Sequence, residues 1–513
     1  MRTRFAPSPT GFLHVGGVRT ALFAWLMAKK TKGTFVLRLE DTDRAREVPG
    51  AAGNILKTLA WAGLRPDEGV MLDERGEITE KGSFGPYIQS KRTELYRTHA
   101  ETLLKQGHAY RCFCSPERLE EMRTQQEKRH QTPMYDLTCL DLPEEEVKRR
   151  IAAGEKHVLR MKIPREETIV YDDEIYGKLS FKGHTVDDQV LLKSDGFPTY
   201  HLAHVVDDHL MEMDMVIRGE EWLSSLPKHL LLFRYFGWQP PKYAHVPLLL
   251  NPDRTKLSKR QSDVAAEHYI EKGYLSEALM NFLALLGWNP GTEQEIFSRE
   301  ELIGAFSLDR VQKSGAVFDL QKLNWLQGQW IRRIPLKDFA ARIQPLVAAK
   351  FKAAGDDEHF TEKAALIQER ITLFPEAAEM LAFFYERPVV SEDVLVNPKQ
   401  GVTESDLPKI IDFLIESLSS IPDSEWRKDV IINVLGSSNI ARFASEAAGG
   451  VDLSTCLKES QYLGPLRAAC LKNSQYLWPL RAALTGRLFS PGAYEVAALL
   501  GKEETIERLK KVA

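Results

Sequence analysis

The sequence of 513 residues is poor in cysteine, and this scarcity excludes a fold held together by disulfide bonds. Only five cysteines occur, an odd number spread thinly along the chain: Cys112, Cys114, Cys139, Cys456 and Cys470. Secreted disulfide-rich domains carry dense, even sets of cysteines, whereas proteins of reducing compartments do not. We therefore expect a cytoplasmic protein, with the mitochondrial matrix, after removal of a presequence, as the alternative.

Long apolar runs and an excess of charge of one sign are also absent. No uninterrupted apolar run approaches the roughly 18 residues that a membrane helix needs, so no membrane partner is expected. The formal net charge is −4, and any nucleic-acid surface must therefore be a local basic patch. With 43% apolar and 27% charged residues, the composition is that of a globular protein, and the length predicts several domains.

The first 43 residues predict a strand, a turn, a helix and a second strand, which together begin a βαβ unit. Arg2–Ser8 is short and strand-like, and the prolines at its end prevent its ladder from continuing. The helix is expected to open at about Gly16, because apolar residues then recur at helical spacing. Phe35, Leu37 and Leu39 then recur at every second position, as the residues on one face of a strand do.

The turn before this helix is a candidate phosphate site. It contains His14, Gly16 and Gly17, and glycines at a helix start let a polyphosphate approach free N–H groups and the positive end of the helix dipole. The spacing matches neither the dinucleotide fingerprint GxGxxG nor the Walker loop GxxxxGK[ST]. A histidine beside two glycines is ordinarily only a turn, so a second signal is needed.

The second signal is a basic loop, Lys256–Arg260, with the sequence KLSKR. It follows the apolar run His245–Leu250, which predicts a buried strand. Three cations in five residues usually form a solvated turn, but ligands of open α/β sheets bind at the carboxyl ends of parallel strands.

With both loops present, the chain resembles the class I aminoacyl-tRNA synthetases. His14-Val15-Gly16-Gly17 stands for their HIGH signature and Lys256–Arg260 for their KMSKS signature, while RFAPSPTGFLHVGG and LRLEDTD are similar to the glutamyl-tRNA synthetase family. The resemblance covers essentially the whole chain. It implies an α/β fold, with a Rossmann-like nucleotide-binding domain, an α+β insertion and an all-α anticodon-binding region. It also implies ATP-dependent ligation of glutamate to the 3′ end of a tRNA through glutamyl-adenylate.

The pattern along the chain, with this resemblance, predicts five parts. These are a catalytic first half at 1–109, an acceptor-stem-binding insertion at 110–195, a catalytic second half at 196–263, a helical connecting domain at 264–334 and an anticodon-binding domain at 335–513. Polar residues 69–85 predict a loop, and segments 157–163, 168–171 and 178–181 predict strands of the insertion. Helices are predicted at 337–349, 362–373, 407–419 and 492–512.

The resemblance assigns residues to each substrate group. Phosphate chemistry falls to His14, Gly16, Gly17, Lys256, Ser258 and Lys259, and the ATP site also takes Glu221 and Leu249. The glutamate pocket takes Arg4, Ala6, Ser8, Glu40, Tyr200, His204 and Arg218. The residue types fit, because a guanidinium binds both oxygens of a carboxylate and a carboxylate such as Glu40 binds an ammonium. Each alone would ordinarily be a surface ion pair, and His204 stands where many relatives carry asparagine.

The insertion contains a candidate zinc knuckle, which the resemblance also suggests. Cys112, Cys114 and Cys139 would supply three thiolates, but a structural zinc site is nearly always four-coordinate. The relatives' fourth ligand is often a histidine two residues after the third cysteine, where this chain has Asp141. Tyr135 and His130 are the other candidates, and a knuckle that has lost its metal is the alternative.

Expected partners follow from the same resemblance: ATP with Mg²⁺, L-glutamate, tRNA(Glu) and, as an open question, tRNA(Gln), bound by a monomer. Glutaminyl-tRNA synthetases are one rival, but they prefer a PEPNGYLHIGH-like opening and a β-barrel anticodon domain. A shorter paralogue that glutamylates a modified tRNA base lacks the helical tail predicted here. The rival from another class is a non-catalytic tRNA-binding protein built on a synthetase body.

Overall fold

The computed structural model describes residues 1–257, 264–436 and 473–513. The chain forms two compact units, Met1–Leu326 and Gln327–Ala513. Among the described residues, no helix has the length and apolar character needed to cross a membrane. Of the predicted site residues, Ser258 and Lys259 lie outside the described residues.

Thirteen strands are found among the described residues of the first unit. In chain order they are β1 Arg2–Phe5, β2 Thr34–Leu37, β3 Glu68–Leu72, β4 Ile78–Lys81, β5 Ala109–Cys112, β6 Val158–Met161, β7 Thr168–Asp173, β8 Gly177–Lys182, β9 Val190–Leu192, β10 Met215–Gly219, β11 Lys242–Val246, β12 Leu249–Leu250 and β13 Ala316–Val317. Six of them form one sheet in the order β11-β10-β1-β2-β3-β4. Every pair in this sheet is parallel except β3 with β4.

Helices connect and cover these strands. In chain order they are α1 Val15–Lys30, α2 Ala51–Trp61, α3 Thr93–Lys105, α4 Pro116–Lys128, α5 Glu144–Ala152, α6 Tyr200–Leu210, α7 Leu226–Tyr235, α8 Ala266–Glu271, α9 Ser276–Leu285, α10 Arg299–Ala305 and α11 Leu320–Arg332. The residues of β2 and β10 are nearly all buried, as expected for a parallel sheet covered on both faces. The predicted Rossmann-like α/β fold is confirmed.

The order of the strands reverses at β1 and β10. From β1 the chain crosses through α1 to β2 on one side, and from β10 it crosses through α7 to β11 on the other side. The crevice at the carboxyl ends of such strands is where open α/β sheets bind their ligands. This topology therefore places the first candidate motif, which follows β1, beside the loops that follow β10 and β11.

The loop predicted at 69–85 is wrong, because the segment contains β3 and β4 joined as a hairpin at the sheet edge. A tight turn closes the hairpin: Asp73 Oδ1 accepts from the backbone N–H groups of Arg75 and Glu77, both at 2.9 Å. The residues of β4 are mainly exposed and polar. An edge strand that is exposed to solvent on both faces has no alternation of apolar and polar residues from which a strand could be predicted.

The predicted strand over residues 245–250 is divided. β11 ends at Val246 and lies parallel to β10, whereas β12 leaves this sheet and pairs with β13. Pro247 lies between them and has no N–H to continue the ladder. The basic loop therefore follows the short strand β12.

The insertion contains two small antiparallel sheets, one of β5, β6 and β9 and one of β7 and β8. The strands predicted at 157–163, 168–171 and 178–181 correspond to β6, β7 and β8. The β7–β8 hairpin lies against β11, because the Tyr171 hydroxyl accepts from Tyr243 N at 2.8 Å and donates to Pro241 O at 3.1 Å. The insertion thereby reaches the strand that closes one edge of the main sheet.

Among the described residues of the second unit the regular elements are helices, as predicted, joined by turns and one isolated β-bridge between Asn397 and Val402. Its helices are Leu336–Lys350, Phe360–Ala365, Glu376–Met380, Glu392–Leu395, Leu407–Ser419, Asn473–Thr485, Ala493–Leu500 and Lys502–Lys510. The helix predicted at 362–373 is shorter than expected. The one predicted at 492–512 is two helices, because Gly501 adopts a φ of +84° that ends the first.

The backbones of β2 and β3 approach each other closely at Gly69, and Gly69→Ala tests whether this contact is needed for stability. Gly69 has a φ of +115°, and a Cβ there would lie 2.0 Å from Leu37 O. We expect the substitution to lower the free energy of unfolding by about 1–3 kcal/mol. Gly53→Ala is the matched control, because Gly53 lies inside α2 with no atom within 4 Å of its Cβ position. It should stabilise the protein by up to about 1 kcal/mol. Urea unfolding followed by circular dichroism measures both, and equal midpoints would contradict the close approach.

Candidate active site

A cleft of about 970 Å³ opens at the point where the strand order reverses. Twelve of the predicted site residues line it: Arg4, Ala6, Ser8, His14, Gly16, Gly17, Glu40, Tyr200, Arg218, Glu221, Leu249 and Lys256. They come from the ends of β1, β2 and β10, the start of α1, the start of α6 and the segment around β12. The structure thus brings the first motif and Lys256, the first residue of the second motif, to one cavity.

His14 caps the amino end of α1. Its backbone is extended, and its Nδ1 accepts from Gly17 N at 3.1 Å. Because Nδ1 is an acceptor, the proton of the neutral imidazole is on Nε2, which is then a donor. Gly16 leaves room for this arrangement, since a Cβ there would lie 3.0 Å from His14 Nδ1 and would press on the imidazole. The histidine and the first N–H groups of α1 form one group of donors for anionic oxygens.

Lys256 reaches the cleft because the chain doubles back after β12. Asn251 N donates to Thr255 O at 2.8 Å, and Leu257 N donates to Leu249 O at 2.9 Å. Arg254 takes a φ of +65° inside this turn. The turn places the exposed Lys256 in the cleft lining beside Leu249.

The inner wall of the cleft is a network of buried charges. Arg4 donates through Nε and NH2 to the two oxygens of Asp208, each at 3.3 Å. Arg38, with no exposed surface, lies 2.8 Å from Asp208 and donates to Glu40 Oε1 at 3.0 Å. Burial acts to raise the pKa of Asp208, but Arg4 and Arg38 outweigh it and hold that pKa well below its usual range. The pairing lets β1, β2 and α6 bury charge without leaving any of it uncompensated.

Glu40 is the anion of this network that faces the cleft. Burial raises its pKa to about 7, against the lowering effect of Arg38 and Arg4. The carboxyl therefore changes charge near neutral pH. A cation beside it would stabilise the charged form.

Arg218, at the end of β10, has its Nε and NH1 donors engaged. Nε donates to His245 Nε2 at 3.0 Å, and NH1 donates to His229 Nδ1 at 3.1 Å and to the Tyr200 hydroxyl at 3.3 Å. Its NH2 is buried and has no hydrogen-bond partner among the described residues. An unpaired donor on a buried guanidinium costs free energy unless an acceptor binds there. A carboxylate oxygen is the acceptor that best matches this site.

The histidines around Arg218 are held neutral. Burial lowers the pKa of His201 to about 3, and it also lowers the pKa of His245, although Asp173 partly opposes this. Burial, together with the neighbouring positive charge, holds the pKa of His229 well below its usual range. A neutral imidazole offers one acceptor nitrogen, so His229 and His245 can accept from Arg218 without adding a competing positive charge.

His204 lies at the edge of this group, and the structure places it outside the cleft lining. Its ring stacks on Tyr200, with centroids 5.1 Å apart, and its Nδ1 lies 2.7 Å from Asp208. The side chain has no exposed surface, and burial lowers its pKa to about 3. It packs against the ring of Tyr200, which itself lines the cleft.

The three cysteines predicted as ligands cluster in the insertion. The Sγ atoms of Cys112, Cys114 and Cys139 all lie within 4.8 Å of one another. The Tyr135 hydroxyl is 3.4 Å from Cys112 Sγ and 3.3 Å from Cys114 Sγ. Hydrogen bonds from Cys139 and Tyr135 lower the pKa of Cys112 to about 4. The exposed Asp141 lies outside this group, as does His130.

Several residues that shape the cleft lie outside the sequence motifs and were not predicted. Arg38 and Asp208 fix Arg4 and Glu40, while His229, His245 and Asp173 lie behind Arg218. The adjacent acids in the segment DDHL could have pointed to buried ion pairs. The histidines gave no such signal, because they belong to separate elements that meet only in the folded chain.

Comparison with known proteins agrees with this geometry. Residues 1–325 match the family model described as tRNA synthetases class I (E and Q), catalytic domain. Residues 338–437 and 466–513 match the model of an anticodon binding domain.

Curated relatives match over the full length. A glutamate–tRNA ligase of Chlorobium luteolum is 43% identical over 529 residues, covering 100% of this chain and 97% of that protein. One from Finegoldia magna is 41% identical over 515 residues, covering 100% and 99%. Among solved structures, a glutamate tRNA ligase from Elizabethkingia meningosepticum in complex with its amino acid is similar with a TM-score of 0.83 and 34% identity, covering 100% and 99% of the two chains. The chain therefore belongs to the class I tRNA synthetases of the E and Q family.

Proposed function

We propose that this protein is a glutamate–tRNA ligase, which activates L-glutamate with ATP and transfers it to the 3′ end of tRNA(Glu). The observation that carries the proposal is the buried, unpaired NH2 of Arg218, a residue of the cleft that His14, Gly16, Gly17 and Lys256 also line. The full-length relatives with this activity support the same conclusion.

The cleft has a group of suitable charge for each part of glutamate. The NH2 of Arg218 faces the side-chain carboxylate, and the Tyr200 hydroxyl, which accepts from Arg218, has its own proton to donate to it. Glu40 takes the α-ammonium. Because Glu40 and Arg218 come from opposite sides of the sheet centre, the amino acid lies across the ends of β1 and β10.

Activation is an in-line attack of the α-carboxylate on the α-phosphorus of ATP, with pyrophosphate as leaving group. Negative charge grows on phosphate oxygens, so fixed donors and cations lower the barrier. His14 and the start of α1 supply donors on one side, and Lys256 supplies a cation on the other. Magnesium is expected to arrive with ATP, whose phosphates it would hold.

Three further features belong to the proposal. The enzyme acts as a monomer in the cytoplasm, with the mitochondrial matrix as the alternative location, and tRNA(Gln) is its candidate second substrate beside tRNA(Glu). Charging purified samples of each tRNA decides the last point.

The proposed function is tested by ATP–pyrophosphate exchange with glutamate, glutamine and aspartate, each with and without tRNA. Exchange that depends on glutamate supports it. Exchange with glutamine instead would favour a glutaminyl-tRNA synthetase. Binding of tRNA without exchange for any amino acid would show a non-catalytic tRNA-binding protein.

Lys256→Ala should slow glutamate activation. Because the substitution removes a cation from the ATP phosphates, we expect kcat for exchange to fall by about 10²- to 10³-fold. Arg254→Ala, in the same exposed turn, is the matched control, since Arg254 is absent from the cleft lining. An equal loss in both variants would show that the turn, and not the Lys256 charge, is needed.

The affinity for glutamate should depend on the ionisation of Glu40. Its pKa of about 7 means that protonation below neutral pH removes the anion that holds the ammonium, so KM for glutamate should rise as the pH falls from 8 to 6. His201 and His204, with pKa values of about 3, stay neutral over this range. Glu40→Gln should raise KM about 10- to 100-fold at pH 8 and abolish its pH dependence. A KM profile unchanged by the substitution would remove Glu40 from ammonium binding.

We also propose that the cysteine cluster holds zinc. In a tetrahedral site with Zn–S bonds of about 2.3 Å, sulfur atoms lie about 3.8 Å apart, and Cys114 Sγ is 3.6 Å from Cys139 Sγ. The Tyr135 hydroxyl, next to two of the three sulfurs, would be the fourth ligand. Such an ion would stabilise the β5 end of the insertion.

Elemental analysis of the purified protein should find about one zinc per chain. Cys139→Ser should abolish zinc binding, and Tyr135→Phe should weaken it at least about tenfold if the hydroxyl is the fourth ligand. Asp141→Asn is the control and should retain zinc. Retention in Tyr135→Phe with loss in Asp141→Asn would transfer the fourth position to Asp141.

A further inference from the structure

Behind Arg218 lies a buried acid that the proposed reaction does not use. His245 Nδ1 is 2.7 Å from Asp173 Oδ2, while His245 Nε2 accepts from Arg218 Nε at 3.0 Å. Asp173 ends β7, in the insertion, and is 3% exposed, whereas His245 is completely buried in β11. Hydrogen bonds thus connect Asp173, His245 and Arg218 in series from the insertion to the cleft.

We propose that Asp173 is a positioning residue, which locks His245 in the tautomer that Arg218 requires for glutamate binding. The proposal rests on the proposed function, because it assigns the carboxylate of glutamate to Arg218. A guanidinium can only donate hydrogen bonds, so His245 must present an unprotonated Nε2 and carry its proton on Nδ1. Asp173 Oδ2 accepts that proton's hydrogen bond.

The hydrogen bonds of the other carboxylate oxygen fix the orientation of the Asp173 side chain. Replacing Oδ2 by an NH2 group should therefore change the tautomer of His245. Oδ1 accepts from the backbone N–H groups of Ile175 and Tyr176, each at 3.0 Å, and from His245 N at 3.4 Å. In Asp173→Asn, the amide oxygen must remain with these three donors. The NH2 group then faces His245 Nδ1, which must become the acceptor and move the proton to Nε2. Two N–H donors would then oppose each other at Arg218.

The consequence is specific for the amino acid. Nε and NH1 of Arg218 are held by His245, His229 and Tyr200, so that NH2 alone remains for a ligand. Loss of the His245 contact lets the guanidinium turn and removes NH2 from its place. The donors near the ATP phosphates, His14 and Lys256, belong to other elements and are unaffected.

Exchange kinetics of three variants test this chain of contacts. We expect Asp173→Asn to raise KM for glutamate about 10- to 100-fold while KM for ATP changes less than about threefold. Asp172→Asn is the matched control, because its exposed carboxylate is the neighbouring residue of β7 and carries the same charge; its kinetics should equal the wild type. The double variant Asp173→Asn/His245→Gln should have a KM for glutamate closer to the wild type than Asp173→Asn alone. The amide oxygen of the glutamine can accept from Arg218 Nε whether residue 173 is Asp or Asn.

Equal KM values for Asp173→Asn and Asp172→Asn would overturn the proposal, and so would a parallel rise in KM for glutamate and ATP. If Asp173→Asn does not fold, ¹⁵N NMR of the histidine-labelled wild-type protein decides, since His245 must show the Nδ1–H tautomer. An Nε2–H tautomer would refute the lock. Absence of glutamate-dependent exchange in the wild type would refute the proposed function instead, and the NMR result would still stand as a test of the lock.

Discussion

Buried charges at the carboxyl end of the central strands have to be paired, and the cleft depends on this constraint. Arg4 and Arg38 share Asp208, and Arg38 also holds Glu40. A single unpaired ion in such a place would cost several kcal/mol. The ends of β1 and β2 are therefore held against α6 in one arrangement, and Glu40 remains as the anion that a substrate can reach.

The wall of the cleft around Arg218 is held by neutral side chains instead of ion pairs. Arg218 is surrounded by neutral histidines rather than carboxylates, because burial keeps His229 and His245 uncharged. These rings orient the guanidinium without neutralising it, so that its charge remains for a ligand. One wall thus ends in an anion and the other in a cation. An amino acid with a carboxylate side chain matches this separation of charge better than its amide does.

The sequence was most informative where local chemistry decides the structure. The glycines after His14 and the cation Lys256 were predicted to belong to one site, and all of them line the cleft. The topology of βαβ units explains why loops so distant in the sequence converge. The β3–β4 hairpin was missed because its exposed polar residues carry no alternation. The partners of Arg218 could not be predicted, since hydrogen bonds between β7, β10 and β11 depend on tertiary packing, and a histidine tautomer depends on its neighbours.

The position of glutamate in the cleft tests these conclusions most directly. A crystal structure of the protein with L-glutamate should show a side-chain carboxylate oxygen within hydrogen-bond distance of Arg218 NH2, and the α-ammonium at Glu40. Glutamate bound in the reverse orientation, or with Arg218 NH2 still unpaired, would contradict the assignment of the two walls.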